Sequence, residues 1–388
     1  MARKVLFISN NNNNSGAFRS MSCLCQLLKE RGEFEPIVIV GKRGDGTKEL
    51  VSKGVKCYHI HLWNWVVKIE DRRKLVVKIK MLVKLILNIL SELHVYLIVK
   101  KESIEIIHIN DIHSYVGART AIRMKLGLIW HIRVLLDEDQ GLKLYSPKCY
   151  ELINKSDKVI AISEAVFDHF SKHINSTKMT VVYNGVDEKK FYNPKKTIFS
   201  NELIKIMHCG QMNGFKGHLH LIDAIKYLVD EGITNLHVTF VGSGYYEKEY
   251  EQYVQSMKLH QYISFSGYHD HVETVFYDSD IFVMNSNAEA FGRVTIEAMM
   301  AGCLVVATNS GASSELIKKG AYGVLVPKDN SADLAEALRR IIISHKREEI
   351  RIAKAAQKYA MEAFKASINA DSIAKCYRLL SFKNDCSF

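Results

Sequence analysis

The segment Glu289-Ala-Phe-Gly-Arg-Val-Thr-Ile-Glu297 carries two carboxylates between a strand-like run and a helix-like one. In a continuous helix, steps of about 100° per residue would set them about 80° apart, on no shared tight face. If Glu289 lies in the loop and the helix starts near Gly292, both line one cleft. The amides of Phe291, Gly292, Arg293 and Val294 then point at the same space. A helix N-terminus is a ready anion site, and a glycine there lets backbone come close. Two carboxylates beside an anion site suit a ligand rich in hydroxyls, one gripping a sugar and the other a ribose. The competing reading is two unrelated surface glutamates.

A second segment, Gly210-Gln211-Met212-Asn213-Gly214-Phe215-Lys216-Gly217, follows a strand and precedes a helix. That is where doubly wound domains bind phosphates. Lys216 can reach a phosphate as a point charge. The loop is not a Walker A loop, because Gly217 follows the lysine where Ser or Thr is needed. A purely structural turn is the alternative. Val241-Gly242-Ser243-Gly244 opens like a dinucleotide fingerprint, but Glu247 occupies its last glycine position, which argues against a nicotinamide cofactor. Nearer the N-terminus, Asn10–Gly16 is a polar loop between a strand and a helix, and Ser15-Gly16-Ala17 can approach an anion through its backbone. Asn110, Asp111 and His113 follow another strand, and His131 closes a third. Each alone reads as a packed or surface residue. Together they mark one sheet edge.

The elements that hold these residues alternate. Short apolar runs at Lys4–Ser9, Pro36–Val40, Val55–His61, Glu105–Ile109, Ile129–Val134 and Lys158–Ile162 are separated by helix-length segments. The alternation restarts at Ile204–Cys209 and continues through Leu236–Val241, Ile263–Ser266, Ile281–Asn285, Leu304–Thr308 and Gly323–Val326. This pattern predicts an α/β protein with two doubly wound parallel-sheet domains. The expected divisions are 1–190, 191–365 and a C-terminal helix at 366–388. Length agrees, since 388 residues suit two domains of ordinary size.

Composition excludes other classes. Hydrophobic residues make up 47% and charged residues 24%, as in globular rather than disordered chains. No run of 18 uncharged apolar residues occurs, so no membrane-crossing helix is expected. The start, Met1 to Ser9, does not read as a signal peptide. The eight cysteines show no C-x-x-C pair and no zinc-finger spacing, which fits free thiols in a reducing cytoplasm. The net charge of +11 is uneven: residues 1–195 hold 32 Lys and Arg against 20 Asp and Glu, and residues 196–388 hold 21 against 22. One half is therefore suited to an anionic partner.

Residues 66–100 contribute to that excess. Lys68, Arg72, Arg73, Lys74, Lys78, Lys80 and Lys84 interleave with apolar residues against Glu70 and Asp71. Two readings stand: a basic amphipathic helix on an anionic membrane, or a core helix with a solvated lysine face. No recognition motif for nucleic acid accompanies the charge.

In order and spacing these motifs resemble the family 4 glycosyltransferases. The likeness runs from Ser15-Gly16-Ala17-Phe18-Arg19 through Ala161-Ile162-Ser163-Glu164, Asn184-Gly185-Val186-Asp187 and the 210–217 loop to the Glu289–Glu297 segment and Gly323-Val324-Leu325-Val326. The phrase Phe291-Gly-Arg-Val-Thr-Ile-Glu-Ala-Met299 is similar to bacterial members that build surface polysaccharides. The resemblance implies a GT-B fold, two Rossmann-like domains facing across a cleft, and retaining transfer from a UDP- or GDP-sugar without a bound metal or other cofactor. It implies that Glu297 binds the ribose, Glu289 the donor sugar, and Lys216 the diphosphate beside Gln211 and the 291–294 amides. Gly16 approaches the same group, and His131 sits near the sugar. The implied acceptor is a glycan or lipid-linked glycan at the inner face of the cytoplasmic membrane. Gln211 stands where the family usually has Arg, Ser15 where it has Gly, and Gly311-Ala-Ser-Ser-Glu315 where it has Gly-Gly-x-Pro-Glu. Two rivals share the fold: a sugar-nucleotide epimerase or hydrolase, and a non-catalytic sugar-nucleotide-binding subunit.

Overall fold

A computed structural model describes residues 2–10, 15–41, 44–344 and 346–380. Much of the Asn10–Gly16 loop, namely residues 11–14, and Cys386 lie outside the described residues. The chain divides into two compact units. One comprises residues up to Gly185 together with the chain from Ala366 onward, and the other runs from Val186 to Lys365. The first unit thus ends five residues before the expected 190. Gly185 is where the chain passes Ala366, and a Cβ on it would lie 2.5 Å from the Ala366 Cα.

In the first unit the strands are β1 (Arg3–Ser9), β2 (Phe34–Val40), β3 (Lys56–His59), β4 (Val66–Lys68), β5 (Ile106–Ile109), β6 (Gly127–Ile132), β7 (Leu142–Leu144), β8 (Lys158–Ala161) and β9 (Met179–Val181). Seven of them form a sheet in the order β3-β2-β1-β5-β6-β8-β9, and β4 pairs antiparallel with β7. The seven-stranded sheet is parallel, with Leu6 opposite both Ile37 and Ile107. Helices cover both faces, so its central strands read as unbroken apolar runs rather than alternating ones. Residues 179–181, 66–68 and 142–144 gave no strand signal; three residues are too few to carry a period.

The second unit holds β10 (Ile204–Cys209), β11 (Leu236–Val241), β12 (Ile263–Phe265), β13 (Ile281–Met284), β14 (Leu304–Thr308) and β15 (Val324–Val326). Their order is β12-β11-β10-β13-β14-β15. The order of connection reverses between β10 and β13, and ligands of open α/β sheets bind at such a point, beyond the carboxyl ends of the strands.

The end of the chain splits into helices Arg347–Ala363 and Ala366–Arg378. The second returns to the first unit. Tyr377 and Leu380 join a core with Val5, Phe34 and Leu28, and Arg31 meets Asp371 at 2.8 Å.

Residues 66–100 comprise the short strand β4, a turn and one long helix. The helix spans Leu75–Glu102, and its buried face mixes Asn88, Ser91, Glu92 and Glu102 with Met81, Val95, Ile98 and Val99. Asn88 bonds both backbone groups of Trp63, and Ser91 donates to the His61 carbonyl at 2.6 Å. Glu92 accepts from the Gly117 and Thr120 amides at 2.9 and 3.1 Å and from the Thr120 hydroxyl at 2.6 Å. It thereby caps the helix Ala118–Met124. Burial pushes the Glu92 carboxyl up, while those hydrogen bonds pull it down. The outward face is apolar, with Leu75, Ile79, Leu82, Ile86, Leu90, Leu93 and Leu97 each at least half exposed. Steps of three and four make them one stripe. Solvent meets this stripe together with Lys74, Lys78 and Lys80. Length and a mean hydropathy of 1.8 alone would let this helix cross a membrane. Hydrogen bonds from Asn88 and Ser91, and to Glu92, hold its other side on the domain.

Candidate active site

The second unit gathers four loops at the carboxyl edge of its sheet. The loop after β10 carries Lys216, and the loop after β13 carries Glu289. Their side chains meet, Lys216 Nζ to Glu289 Oε2, at 2.7 Å. Ser286 Oγ donates to the same oxygen at 3.3 Å. The contact spans 73 residues of sequence, yet strands β10 and β13 are neighbours, so the order reversal alone brings the two loops together.

Glycines let the loops touch. Gly217 has φ of 71°, and a Cβ on it would fall 1.8 Å from the Asn285 carbonyl oxygen. Asn285 Nδ2 in turn donates to the Gly217 carbonyl at 2.9 Å. Gly311 has φ of 51° and sits against the Glu289 backbone, where a Cβ would meet the carbonyl oxygen at 2.3 Å. The Ala312 amide donates to that oxygen at 2.8 Å. Gly242 and Gly244 likewise lie against Gly210 and Met212. The Val241-Gly-Ser-Gly244 turn thus exists to seat one loop on another.

The helix Arg293–Ala301 is capped by Gly292 with φ of 82°, so Glu289 lies in the loop and Glu297 one turn into the helix. Arg293 Nη2 and Glu297 Oε1 are 3.3 Å apart. Arg293 thus pairs with Glu297 within the helix. Phe291 is buried, with its ring 6.2 Å from that of Phe364. Val294 lies in the first helical turn, and the Thr295 amide is spent on the Gly292 carbonyl at 2.9 Å. Gln211 is exposed in the β10 loop.

In the first unit, Ser15 caps the helix Gly16–Arg31 by accepting from the Phe18 amide at 3.3 Å, which places Gly16 first in the helix. Serine in place of the usual glycine thus supplies a cap. His131 is fully buried at the end of β6. Its Nδ1 lies 3.2 Å from Arg133 Nη2 and 3.1 Å from His108 Nε2. His108 Nδ1 lies 2.7 Å from the Tyr377 hydroxyl. Arg133 also donates to Asn110 Oδ1 at 3.0 Å and to Asn184 Oδ1 at 2.5 Å.

A guanidinium only donates, so His131 Nδ1 must accept and its proton sits on Nε2. His108 then donates from Nε2 and accepts the Tyr377 proton at Nδ1. The line of donors ends at His131 Nε2, which has no partner among the described residues. Burial, the Arg133 charge and His108 hold His131 well below the usual histidine range, so it is neutral at pH 7 and presents an N–H.

Beside this chain, His113 Nδ1 lies 2.7 Å from Asp111 Oδ1, and its Nε2 lies 2.8 Å from Gln140. Burial works against its charge. The Asp111 carboxylate and these hydrogen bonds outweigh it and push His113 up to about 9.

The sequence pointed to Lys216, Glu289, Gly292, Glu297 and His131, marked Gly311 only as part of a family segment, and missed Ser286 and Asn285 in the second unit. It also missed His108, Arg133 and Tyr377, which no local motif marks. Two Asp-x-Asp triplets occur, Asp137-Glu138-Asp139 and Asp278-Ser279-Asp280. Asp280 accepts from the Phe199 and Lys205 amides at 2.6 and 2.9 Å, at the start of β13 and so on the sheet edge opposite Glu289. Asp137 and Glu138 lie with His169 in an exposed group whose ligand atoms are within 4.8 Å of one another. Among the described residues this is the one such group.

Residues 14–190 match the model of Glycosyltransferase Family 4, and residues 189–359 that of Glycosyl transferases group 1. An uncharacterized glycosyltransferase of Methanocaldococcus jannaschii is 28% identical over 63% of this chain and 67% of its own length. The capsular polysaccharide biosynthesis glycosyltransferase CapH of Staphylococcus aureus is 24% identical over 87% of this chain and 91% of its own length. Among solved structures, HepE of Anabaena in complex with UDP superposes with a TM-score of 0.79 at 21% identity, over 97% of this chain and 100% of that one.

Proposed function

The chain belongs to the family 4 glycosyltransferases of the GT-B fold, and on that premise we propose that it transfers a sugar with retention from a UDP- or GDP-sugar to a lipid-linked glycan during surface-polysaccharide synthesis. The observation that carries this reading is the Lys216–Glu289 pair at the order reversal of the second sheet. A lysine and a carboxylate held 2.7 Å apart neutralise each other until a ligand carries both kinds of partner. A nucleoside-diphosphate sugar does: its diphosphate takes Lys216, and its sugar hydroxyls take Glu289. Glu297, beside the same helix start, binds the ribose.

Lys216 and the helix start stabilise charge that develops on the leaving diphosphate, and no bound metal is needed for that role. The bond from the anomeric carbon to the diphosphate oxygen breaks. The acceptor oxygen bonds to the same face of that carbon, and its proton passes to the leaving phosphate. His131, neutral and held by its fixed network, positions the sugar.

The support for a lipid-linked acceptor is the stripe from Leu75 to Leu97, apolar and exposed, with Lys74, Lys78 and Lys80 around its first turns. That is the composition of a helix lying in an anionic membrane surface. Capsule synthesis by CapH agrees with such an acceptor. Flotation with phosphatidylglycerol vesicles checks it: Ile79→Asp with Ile86→Asp is expected to abolish association, and equal flotation of the variant removes the membrane role.

Thermal-shift measurement against UDP, GDP, CMP, ADP and NAD tests the transferase reading. A ligand at 100 times its Kd adds about 2.7 kcal/mol to stability. The expected result is a shift with UDP or GDP alone. A shift with NAD, or with none of the five, overturns it.

A further inference from the structure

Beside the helix Leu75–Glu102 the first unit contains a cavity of about 780 Å³, within the usual range for small-molecule sites of about 300–1,000 Å³. Its walls are Trp65, Leu85, Tyr115, Ile122 and Leu152. A second cavity of about 240 Å³ continues along the same helix past Ile89 and Leu93. Arg119 and Arg123 line both, so the two adjoin as neighbouring parts of a slot beside this helix.

Four cations stand on the larger cavity, Arg119, Arg123, Lys148 and Lys155, against the single carboxylate Glu151. All four are exposed, and no ion pair between them and a described carboxylate is formed. Arg119 lies over the Tyr115 ring, 4.9 Å from its centroid. An apolar slot with an unneutralised cationic rim is complementary to one kind of ligand, an apolar chain ending in an anion.

The slot is also continuous with the exposed stripe. Ile89 and Leu93 belong both to its wall and to the outward apolar face, each half exposed. A chain leaving a membrane surface that the stripe touches would meet the slot first. The inner wall rests on the sheet. The Trp65 ring stacks on Trp130 of β6 with centroids 5.7 Å apart and planes at 10°, on the face opposite to that of the His131 side chain. Trp65 Nε1 donates to the Ile112 carbonyl at 2.6 Å, and Trp130 Nε1 to the Asp111 carbonyl at 3.0 Å, which fixes both rings.

We propose that this slot binds a lipid phosphate or diphosphate, its apolar chain between Leu85, Ile122 and Leu152 and its phosphates on Arg119, Arg123, Lys148 and Lys155. The proposal rests on the lipid-linked acceptor reading and gives that acceptor's carrier a site of its own, away from the sugar-nucleotide residues.

Quenching of tryptophan fluorescence by farnesyl diphosphate, on the full chain without detergent, tests it, because Trp65 is in the wall. Farnesyl diphosphate is expected to bind at least ten-fold more tightly than inorganic diphosphate or octyl glucoside below its micelle concentration. Leu152→Trp, which fills the slot, and the double variant Arg119→Glu with Arg123→Glu are each expected to weaken it at least ten-fold. The nucleotide-induced thermal shift reports that each variant is folded, and the two arginines are surface residues whose change tests the rim if Leu152→Trp fails to fold. Equal affinity for inorganic diphosphate would make this a free-phosphate site and overturn the lipid assignment, as would binding untouched by the rim variant. A nucleotide shift without farnesyl diphosphate binding removes the slot alone. Farnesyl diphosphate binding without any nucleotide shift leaves the slot standing and removes the transferase reading.

Discussion

The two sheet edges are built on opposite plans. In the second unit the charges face each other, Lys216 on Glu289 between two loops and Arg293 on Glu297 within the helix that follows. In the first unit the corresponding edge carries a buried neutral histidine, oriented through Arg133, His108 and Tyr377. Paired charges at a partly open edge are exchanged for ligand at modest cost, because the ligand brings replacement partners. A buried neutral network cannot exchange, and its worth lies in holding one N–H in one direction. On the proposed reading, the second edge binds and releases and the first positions.

The sharpest way to break this comparison is to remove one charge of the exchanging pair. Lys216→Ala and Glu289→Ala are each expected to lower transfer by at least about 100-fold with folding retained, the scale of losing one preorganised partner of a developing charge. Steady-state transfer assays check this. Near-normal turnover in either variant would take that residue out of the mechanism and leave the pair a mere loop clasp.

Acid tests the neutral side of the comparison in both units. His108 and His131 are held well below the usual range, by burial first and by Arg133 next. Burial pushes His208 down to about 4, with the nearby Lys216 charge adding to it, and lowers His218 as well. The unfolded chain takes up these protons near pH 6.5 and the folded one only much lower. Stability is therefore full above about pH 6.5 and falls as pH drops through that value. Each histidine contributes about 1.4 kcal/mol per pH unit, or roughly 5 kcal/mol per unit for four near pH 5. Urea midpoints between pH 7 and 5 should fall steeply. His218→Phe should flatten that slope by about a quarter. It should also raise neutral-pH stability by about 1–2 kcal/mol, because both ring nitrogens are buried without a partner among Phe240, Tyr250 and His208.

Smaller effects sharpen the positioning argument. Tyr377→Phe deletes the proton donated to His108 Nδ1 and frees that ring to choose its tautomer. A cost of about 1 kcal/mol in stability is expected, with kcat reduced and the KM for the nucleotide sugar unchanged. A merely structural tyrosine would lower stability with kcat intact. His113 runs the other way in pH. Its folded value lies at about 9, above the unfolded one, so its contribution is present below about pH 6.5 and is lost as pH rises through 9. His113→Gln should remove a shallow alkaline decline in melting temperature over that window.

Legibility followed the same divide. Strands β10, β11 and β14 could be read to the residue, because a buried parallel strand is an apolar run bounded by turn residues. Lys216, Glu289 and Gly292 were visible for the same reason: each sits directly after such a run. Ser286 and Asn285 were not, since their use depends on which loops become neighbours. For the helix Leu75–Glu102 the sequence left two readings open, and it did not show which face packs: Asn88, Ser91 and Glu92 claim the interior by bonding backbone groups of other segments, which turns the leucines outward and disfavours the core-helix reading.

By itself, then, the sequence determined two alternating α/β domains, the loops that carry charge and the glycines that let them close, because these follow from local periodicity and backbone freedom. Tertiary structure decided which charges pair, which face of Leu75–Glu102 meets solvent, and the direction of the His131 N–H. Those depend on contacts 73 residues apart for Lys216 and Glu289 and 269 apart for His108 and Tyr377. No local pattern encodes a partner at that distance; only packing, strand order and the desolvation of buried polar groups select it.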